Sequence, residues 1–159
     1  MANLIYAVIK GKKQGLISAG CSTYSSIGNL YQAGHEDEIM VLSLETEISR
    51  AQHVNHQPVM FIKPIDKSTP LLGMAISDNE ELDITFTEYR TSSSGANERY
   101  FTRKLRGAFL ERIKTLSPHT QRHNDKQPEE LILVRYATIQ WEHHLAGTSG
   151  YSIWDERAY

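Results

Sequence analysis

The residues that most suggest chemistry lie near the end of the chain, in the stretch Glu142–Asp155, which reads E-H-H-L-A-G-T-S-G-Y-S-I-W-D. It combines a carboxylate, two adjacent histidines, a Thr-Ser pair between glycines and a tryptophan. Ser149 does not fit the nucleophile pattern G-x-S-x-G, because Tyr151 stands where the second glycine would be. Residues 147–150 also lack the longer glycine loop, the lysine and the following helix that bind phosphate. We therefore interpret 147–150 as a turn.

Seven histidines suggest a metal site, but their spacing does not support one. His53 and His56 are three apart, which suits a helix, whereas their flanks R-A-Q and Q-P-V are typical of an extended loop, and no glutamate follows His53 as H-E-x-x-H requires. His143 and His144 would point to opposite faces of a strand. The lone Cys21 has no base at a diagnostic spacing. The sequence thus predicts no catalytic residue, no metal and no cofactor.

The composition is that of one globular domain over residues 1–159, with 40% hydrophobic and 23% charged residues. A net charge of -2 excludes a general basic field for nucleic acid or an anionic membrane. The single cysteine excludes an internal disulfide and favours a reducing compartment. The first ten residues lack the charged and apolar regions of a signal peptide, and no segment is long enough to span a membrane. We expect any export to recognise the folded protein.

Strand signals dominate the chain. Runs of β-branched, aromatic and alternating residues predict strands over 3–10, 14–19, 38–50, 59–65, 82–89 and 131–141. The strand over 38–50 is expected to be buried at its start and half-exposed at its end. The polar stretch Ser117–Glu130 is predicted to be a surface loop. One short α-helix is predicted at about residues 69–77, with Ser68 or Thr69 as its cap and Pro70 in its first turn.

The stretch Tyr100–Leu116 fits two periodicities. Its apolar residues share one face of a helix, and several of them also share the parity of a strand. The β-rich surroundings favour two strands bent at Gly107, where the missing side chain permits a bulge. The predicted fold class is mainly β, a barrel or sandwich with one short helix.

Absence of a catalytic set points towards binding, and the segment Glu45–Gln57 is the candidate. Its polar side chains offer directional hydrogen bonds of the kind found at the rim of an interface. We infer that the protein binds copies of itself.

Long blocks of the sequence resemble the hemolysin-coregulated protein (Hcp) family, which forms the tube of bacterial type VI secretion. These blocks include M-A-N-L-I-Y, I-K-G-K-K-Q-G-L-I-S-A-G-C-S, L-S-L-E-T-E-I-S-R, H-V-N-H-Q-P-V, F-I-K-P-I-D-K-S-T-P-L-L, Y-R-T-S-S-S-G and W-E-H-H-L-A-G-T-S-G-Y-S-I-W-D, and together they cover essentially the whole chain. The resemblance implies a compact β-barrel of two sheets with one helix at its side, and strand structure over 100–116.

The resemblance also implies function. Family members form hexameric rings that stack into a tube, work with the type VI sheath, baseplate and spike proteins, and hold effector proteins in the lumen. They are cytoplasmic before firing and are then secreted without a signal peptide. They carry no catalytic residues, do not bind nucleic acid and do not insert into a membrane.

Candidate interface residues follow from the same resemblance. In the family an extended loop reaches the neighbouring subunit, and its match here contains Thr46, Glu47, Arg50, Gln52, His53 and His56. The final segment is expected to pack on the barrel or against the next subunit, and it adds His143, His144, Tyr151 and Trp154. The run R-K-L-R-G-A-F-L-E-R-I-K is more charged and bulkier than the K-L-T-G-A-T-I-like run of close relatives. If its side chains face the lumen or a ring face, the cargo range or the stacking strength is expected to differ.

Two other hypotheses remain open from the sequence. One is a monomeric β-barrel module that binds a small ligand or glycan in an internal cavity. The other is a metal-dependent hydrolase that uses His53, His56 or the pair His143 and His144.

Overall fold

The computed structural model describes residues 3–154, and this part of the chain is mainly β, as predicted. Its strands are β1 (Asn3–Gly11), β2 (Gly15–Leu16), β3 (Ile39–Val41), β4 (Ser43–Glu45), β5 (Ile48–Arg50), β6 (Val54–His56), β7 (Val59–Pro64), β8 (Leu82–Thr91), β9 (Asn97–Leu116), β10 (Glu129–Arg135), β11 (Thr138–His143) and β12 (Thr148–Ile153). Its helices are α1 (Tyr24–Ile27), followed by a 3-10 turn over Gly28–Leu30, and α2 (Thr69–Ser77).

The long strand β9 belongs to two sheets. Its first half pairs with β8 on one side and β11 on the other, in an antiparallel sheet that runs from β2 and β3 through β1, β8 and β9 to β11 and β12. Its second half pairs with β10, which continues to β7 and β4. The predicted strand structure of this stretch is therefore confirmed, although it forms one continuous strand rather than two. Its helical periodicity does not produce a helix, because pairing with β8 and β11 in the first half and with β10 in the second supplies the hydrogen bonds.

Gly107 lies where β9 passes from one sheet to the other. Its φ is +58°, a conformation that costs a residue with a side chain about 1 kcal/mol or more. A Cβ at Gly107 would also lie 2.9 Å from the Cβ of Ala137. Ala137 itself sits in a break between β10 and β11, so the single strand predicted over 131–141 is two strands, one in each sheet. The bend at Gly107 and the break at Ala137 face each other at the place where the chain passes between the two sheets.

The barrel is not closed by one continuous strand. On the side opposite β9, β3 pairs with β1 of the first sheet and β4 pairs with β7 of the second, with Leu42 between them. Leu42 donates its N–H to the carbonyl of Ile62 at 2.7 Å. The strand predicted over 38–50 is thus three short strands. Its start is buried, as predicted, whereas its end is fully exposed rather than half-exposed.

The core lies between the two sheets, where alternate residues of each strand point inward. The largest side chains buried there include Ile9, Phe61, Ile84, Phe86, Leu105, Ile132 and Ile139. The rings of Phe61 and Phe86, one from each sheet, meet edge to face at 5.2 Å. Helix α2 covers one end of this core with Leu72 and Ala75. Burial of this apolar area is the main force that holds the two sheets together.

Helix α2 has the predicted bounds and one of the two predicted N-cap residues, but the capping hydrogen bond is missing. Ser68 is the N-cap residue and makes no capping hydrogen bond with its side chain. Its hydroxyl instead donates to Asp66 Oδ1, which also accepts the Ser68 N–H at 2.9 Å. The predicted strand over 14–19 is reduced to β2, and α1 was not predicted. The predicted loop ends at residue 128, because Glu129 and Glu130 begin β10.

A charged cluster is buried beside the start of α2. Lys63, on β7, is 0% exposed. Its Nζ lies 2.6 Å from Glu130 Oε2 and 2.8 Å from Asp66 Oδ1. The same ammonium donates to the carbonyl of Pro64 at 3.1 Å and to Thr69 Oγ1 at 3.3 Å. Asp66 Oδ2 is buried without a hydrogen-bond partner among residues 3–154. This cluster ties the second sheet to the α2 connection.

Among the described residues no helix has both the length and the apolar character needed to cross a bilayer.

Candidate subunit interface

The segment predicted to be an extended loop is a two-stranded hairpin. Strands β5 and β6 pair with each other, with Ile48 opposite His56 and Arg50 opposite Val54, in a small sheet separate from the barrel strands. The N–H of Gln57 donates to the carbonyl of Glu47 at 3.1 Å and extends the pairing at the base. We call residues 46–56 the arm.

The arm is exposed along almost its whole length. Every residue from Glu45 to Asn55 is exposed, including Ile48 and Val54 at 38% and 37%. Five of the six predicted loop candidates lie on this exposed part. Thr46 and Glu47 precede β5, Arg50 ends it, and Gln52 and His53 form the turn. Side chains so exposed contribute little to the stability of their own chain.

His56, the sixth loop candidate, is turned inward and is 3% exposed. Its Nδ1 lies 2.9 Å from the hydroxyl of Tyr136, and its Nε2 lies 2.9 Å from Oγ of Ser152. Its ring stacks on Trp154 at 5.8 Å. His56 therefore fastens the base of the arm to the break between β10 and β11 and to β12. Its role in the interface itself remains a prediction.

The surroundings of His56 favour the neutral imidazole. Burial lowers its pKa, because the charged form loses its hydration there. The two groups that bind the ring are hydroxyls, and burial raises the pKa of Tyr136 to about 12. The Arg135 guanidinium lies 5.3 Å from the centre of the Trp154 ring in the same aromatic cluster. Among residues 3–154 no carboxylate forms an ion pair with His56.

The two adjacent histidines of the C-terminal stretch separate, as predicted. The ring of His143 packs edge to face with Phe101 at 5.9 Å. His144 lies beyond the strand, where its Nε2 is 2.6 Å from Oγ1 of Thr102. The turn itself is displaced from the prediction. Residues 144–147 form it, whereas 148–150 belong to β12 and pair with β11.

Tyr151 and Trp154 have different environments. Tyr151 is 71% exposed on β12. The Trp154 ring packs against the core and meets Tyr136 edge to face at 4.9 Å. The backbone N–H of Trp154 donates to the carbonyl of Ala137 at 2.7 Å. The final segment thus packs back on the barrel, one of the two placements predicted for it. Asp155 of the opening stretch lies outside the described residues.

Strand β12 leaves one edge of the first sheet open. Within the described residues it pairs with β11 only, and its residues, T-S-G-Y-S-I, include no charge and no proline. Five of the six are exposed. Sheet edges in monomers are usually protected by charge, proline or cover.

The structure brings together two candidates, His56 and Trp154, with two residues that sequence reasoning missed, Tyr136 and Ser152. Tyr136 lies within the stretch 131–141, which the sequence predicts to be one continuous strand. The run R-Y-A-T contains no glycine or proline, so the break there carried little signal. The pairing is nonlocal, since His56 and Ser152 are 96 positions apart.

Two further candidates for chemistry among residues 3–154 are a metal site and the cysteine. No group of three or more histidine, cysteine or acidic residues in that range could hold a metal ion. Cys21 is buried, and burial raises its pKa to about 11, which suppresses the reactive thiolate.

Comparison with known proteins gives consistent matches. The family model described as "Type VI secretion system effector, Hcp" matches residues 6–143. The Major exported protein of Pseudomonas aeruginosa is 37% identical over 97% of this chain and 96% of its own length. Uncharacterized protein YhhZ of Escherichia coli strain K12 is 40% identical over 93% of this chain, which spans 37% of that longer protein.

Solved structures agree. A crystal structure of an Hcp protein superposes with a TM-score of 0.92 at 36% identity and covers 98% of this chain and 99% of its own. Secreted protein Hcp3 from Pseudomonas aeruginosa superposes with a TM-score of 0.88 at 38% identity over 97% of this chain and 99% of its own.

Proposed function

This chain belongs to the Hcp family of type VI secretion proteins, and from that premise we propose that it is a structural subunit of the secretion tube. In this proposal six copies close into a ring, rings stack, and the sheath expels the tube together with effector proteins held in its lumen. The chain is cytoplasmic before firing and reaches the outside without a signal peptide. It acts by assembly rather than by catalysis.

The exposed arm is the observation that carries the proposal. It extends ten consecutive exposed residues, 46–55, from a base fixed by buried hydrogen bonds. Ordering such a segment costs conformational entropy, and few contacts within its own chain offset that cost. A neighbouring subunit would supply those contacts. One surface meeting a different surface on the next copy generates a ring when the rotation closes.

The open edge of β12 supports the same conclusion. Its uncharged residues would accept a strand or loop of another copy through main-chain hydrogen bonds. Tyr151 offers a large exposed ring beside that edge, and tyrosine is enriched at protein interfaces.

Mass in solution tests the proposal. Six chains of 18.1 kDa give a ring of about 109 kDa, and light scattering after gel filtration measures it. A monomer at every concentration would contradict the ring. Variants Arg50→Glu and His53→Glu should lower the assembled fraction while circular dichroism stays unchanged. The matched control is Arg122→Glu, in the exposed loop before β10. An unchanged mass in both arm variants would remove these residues from the interface.

A further inference from the structure

The outward face of the first sheet carries a group of four cations. In the strands β1, β8 and β9 the buried Ile9, Ile84 and Leu105 point to the core. The residues that alternate with them point outward and line a shallow cavity of about 400 Å³. Four basic residues contribute to this lining, namely Lys10, Arg99, Lys104 and Arg106. We call this surface the basic face.

These four cations differ from the other basic residues of the sheet. Lys12 pairs with Glu81, Arg90 with Glu98, and Arg103 with Glu88. None of the four on the basic face forms an ion pair within residues 3–154. Asp83, opposite Lys10 on β8, is the one carboxylate among the lining residues. The face is thus positive on a chain whose net charge is -2.

Threonine hydroxyl groups lie between the cations, beside the apolar Val8. Strand pairing places Thr85 beside Lys104 and Thr87 beside Thr102, and Arg106 lies opposite Thr138 of β11. Threonine hydroxyls both donate and accept hydrogen bonds. They therefore suit the peptide groups and carboxylates of an extended chain, with no large apolar anchor required.

We propose that the basic face binds an acidic, extended polypeptide segment of a partner protein. This deepens the proposed function and rests on it, because it states the chemistry of a cargo or partner that the tube subunit meets. A polypeptide fits better than nucleic acid. The lining residues contain no phenylalanine, tyrosine or tryptophan on which bases could stack.

Binding of a labelled octaglutamate peptide tests this proposal, measured by fluorescence anisotropy against a glycine-serine peptide of the same length. The octaglutamate peptide should bind more tightly, and sodium chloride should weaken its binding. The double variant Lys104→Glu, Arg106→Glu should bind it about tenfold less tightly, because two attractive contacts become repulsive. If reversal disturbs folding, Lys104→Gln with Arg106→Gln should still weaken binding, by a smaller factor.

The same strand provides a matched control. Arg112 and Lys114 are exposed on the second half of β9, beyond Gly107 and outside the basic face. The variant Arg112→Glu, Lys114→Glu changes the net charge by the same amount, and it should retain binding within about twofold. Equal losses in both double variants would reduce the effect to net charge and overturn the proposal. Equal binding of the two peptides by the unmodified chain would also overturn it, and so would tighter binding of single-stranded DNA.

Solution mass, measured on the same samples, separates this proposal from the ring. A hexameric mass without binding of the octaglutamate peptide would overturn the basic-face proposal alone. A monomer that binds it would overturn the ring alone.

Discussion

Two buried polar clusters flank strand β7, and they use opposite chemistry. Before the strand, His56 is held as a neutral ring between the hydroxyls of Tyr136 and Ser152. Near its end, Lys63 is held as an ion between Asp66 and Glu130. The first fastens an exposed arm to the body, whereas the second lies where the sheet meets helix α2.

The two clusters differ in how much stability the chain loses when one partner is removed. A neutral hydrogen bond contributes about 1 kcal/mol net, and the cost of losing it is mainly the desolvation of the group left behind. A buried ion without its counterion loses far more, because its hydration was given up on folding. Loss of one partner should therefore destabilise the fold strongly at the Lys63 cluster and moderately at the His56 cluster.

Replacing Lys63 should have the largest effect. The variant Lys63→Met leaves Asp66 and Glu130 buried without their cation, and we expect a loss of about 3–5 kcal/mol in the free energy of unfolding. Urea unfolding at neutral pH measures it. The control Lys12→Met breaks the exposed pair with Glu81 and should leave stability unchanged.

A second variant sharpens this prediction. Combining Lys63→Met with Asp66→Asn and Glu130→Gln removes every charge of the cluster, so much of the loss should be recovered. A triple variant no more stable than Lys63→Met would mean that shape and hydrogen bonding, rather than charge, dominate the joint.

Replacing His56 should have an intermediate effect. The variant His56→Ala leaves two buried hydroxyls unpaired and opens space beside Trp154, so we expect a loss of about 1–3 kcal/mol. Trypsin should also cleave after Arg50 faster, because the base of the arm is released. His53→Ala, at the exposed tip, should change neither quantity. Equal results for His56→Ala and His53→Ala would show that His56 does not hold the base of the arm.

The lowered pKa of His56 predicts that the folded chain loses stability in acid. Burial lowers the pKa of His56 in the folded chain below its usual 6.5, so the unfolded chain binds the proton more readily. Stability is then fully present above about pH 6.5 and falls as the pH drops below it, by at most about 1.4 kcal/mol per pH unit for one proton. Thermal unfolding at several pH values measures this slope. The slope should become shallower in His56→Gln and stay unchanged in His53→Gln. An identical slope in both variants would rule out His56 as its source.

Much of the fold was predictable, because it follows from local pattern. Alternation in β8 and the Thr-Pro start of α2 gave both elements within two residues of their observed bounds. The strand structure of 100–116 was predicted from its surroundings. The break at Ala137 was not, because it depends on Gly107 facing it across the sheet.

The site was less predictable than the fold. The arm residues from Thr46 to His53 stand out by their polarity, but the same polarity gave no sign that His56 turns inward. Its partners Tyr136 and Ser152 lie 80 and 96 positions away. Pairing over such distances is decided by how two sheets close on each other, which periodicity along one strand does not encode.

Changes at the tip of the arm should have the smallest effect on stability and the clearest effect on assembly. Arg50 is exposed and makes no ion pair among residues 3–154, so Arg50→Glu should shift the unfolding free energy by no more than about 0.5 kcal/mol. If the arm contacts a neighbouring subunit, the same change should lower the assembled mass at a given concentration. His56→Ala should lower it as well, through loss of the arm's orientation, but with a measurable loss of stability. A variant pair that separates assembly from folding in this way would distinguish the contact residue from the residue that positions it.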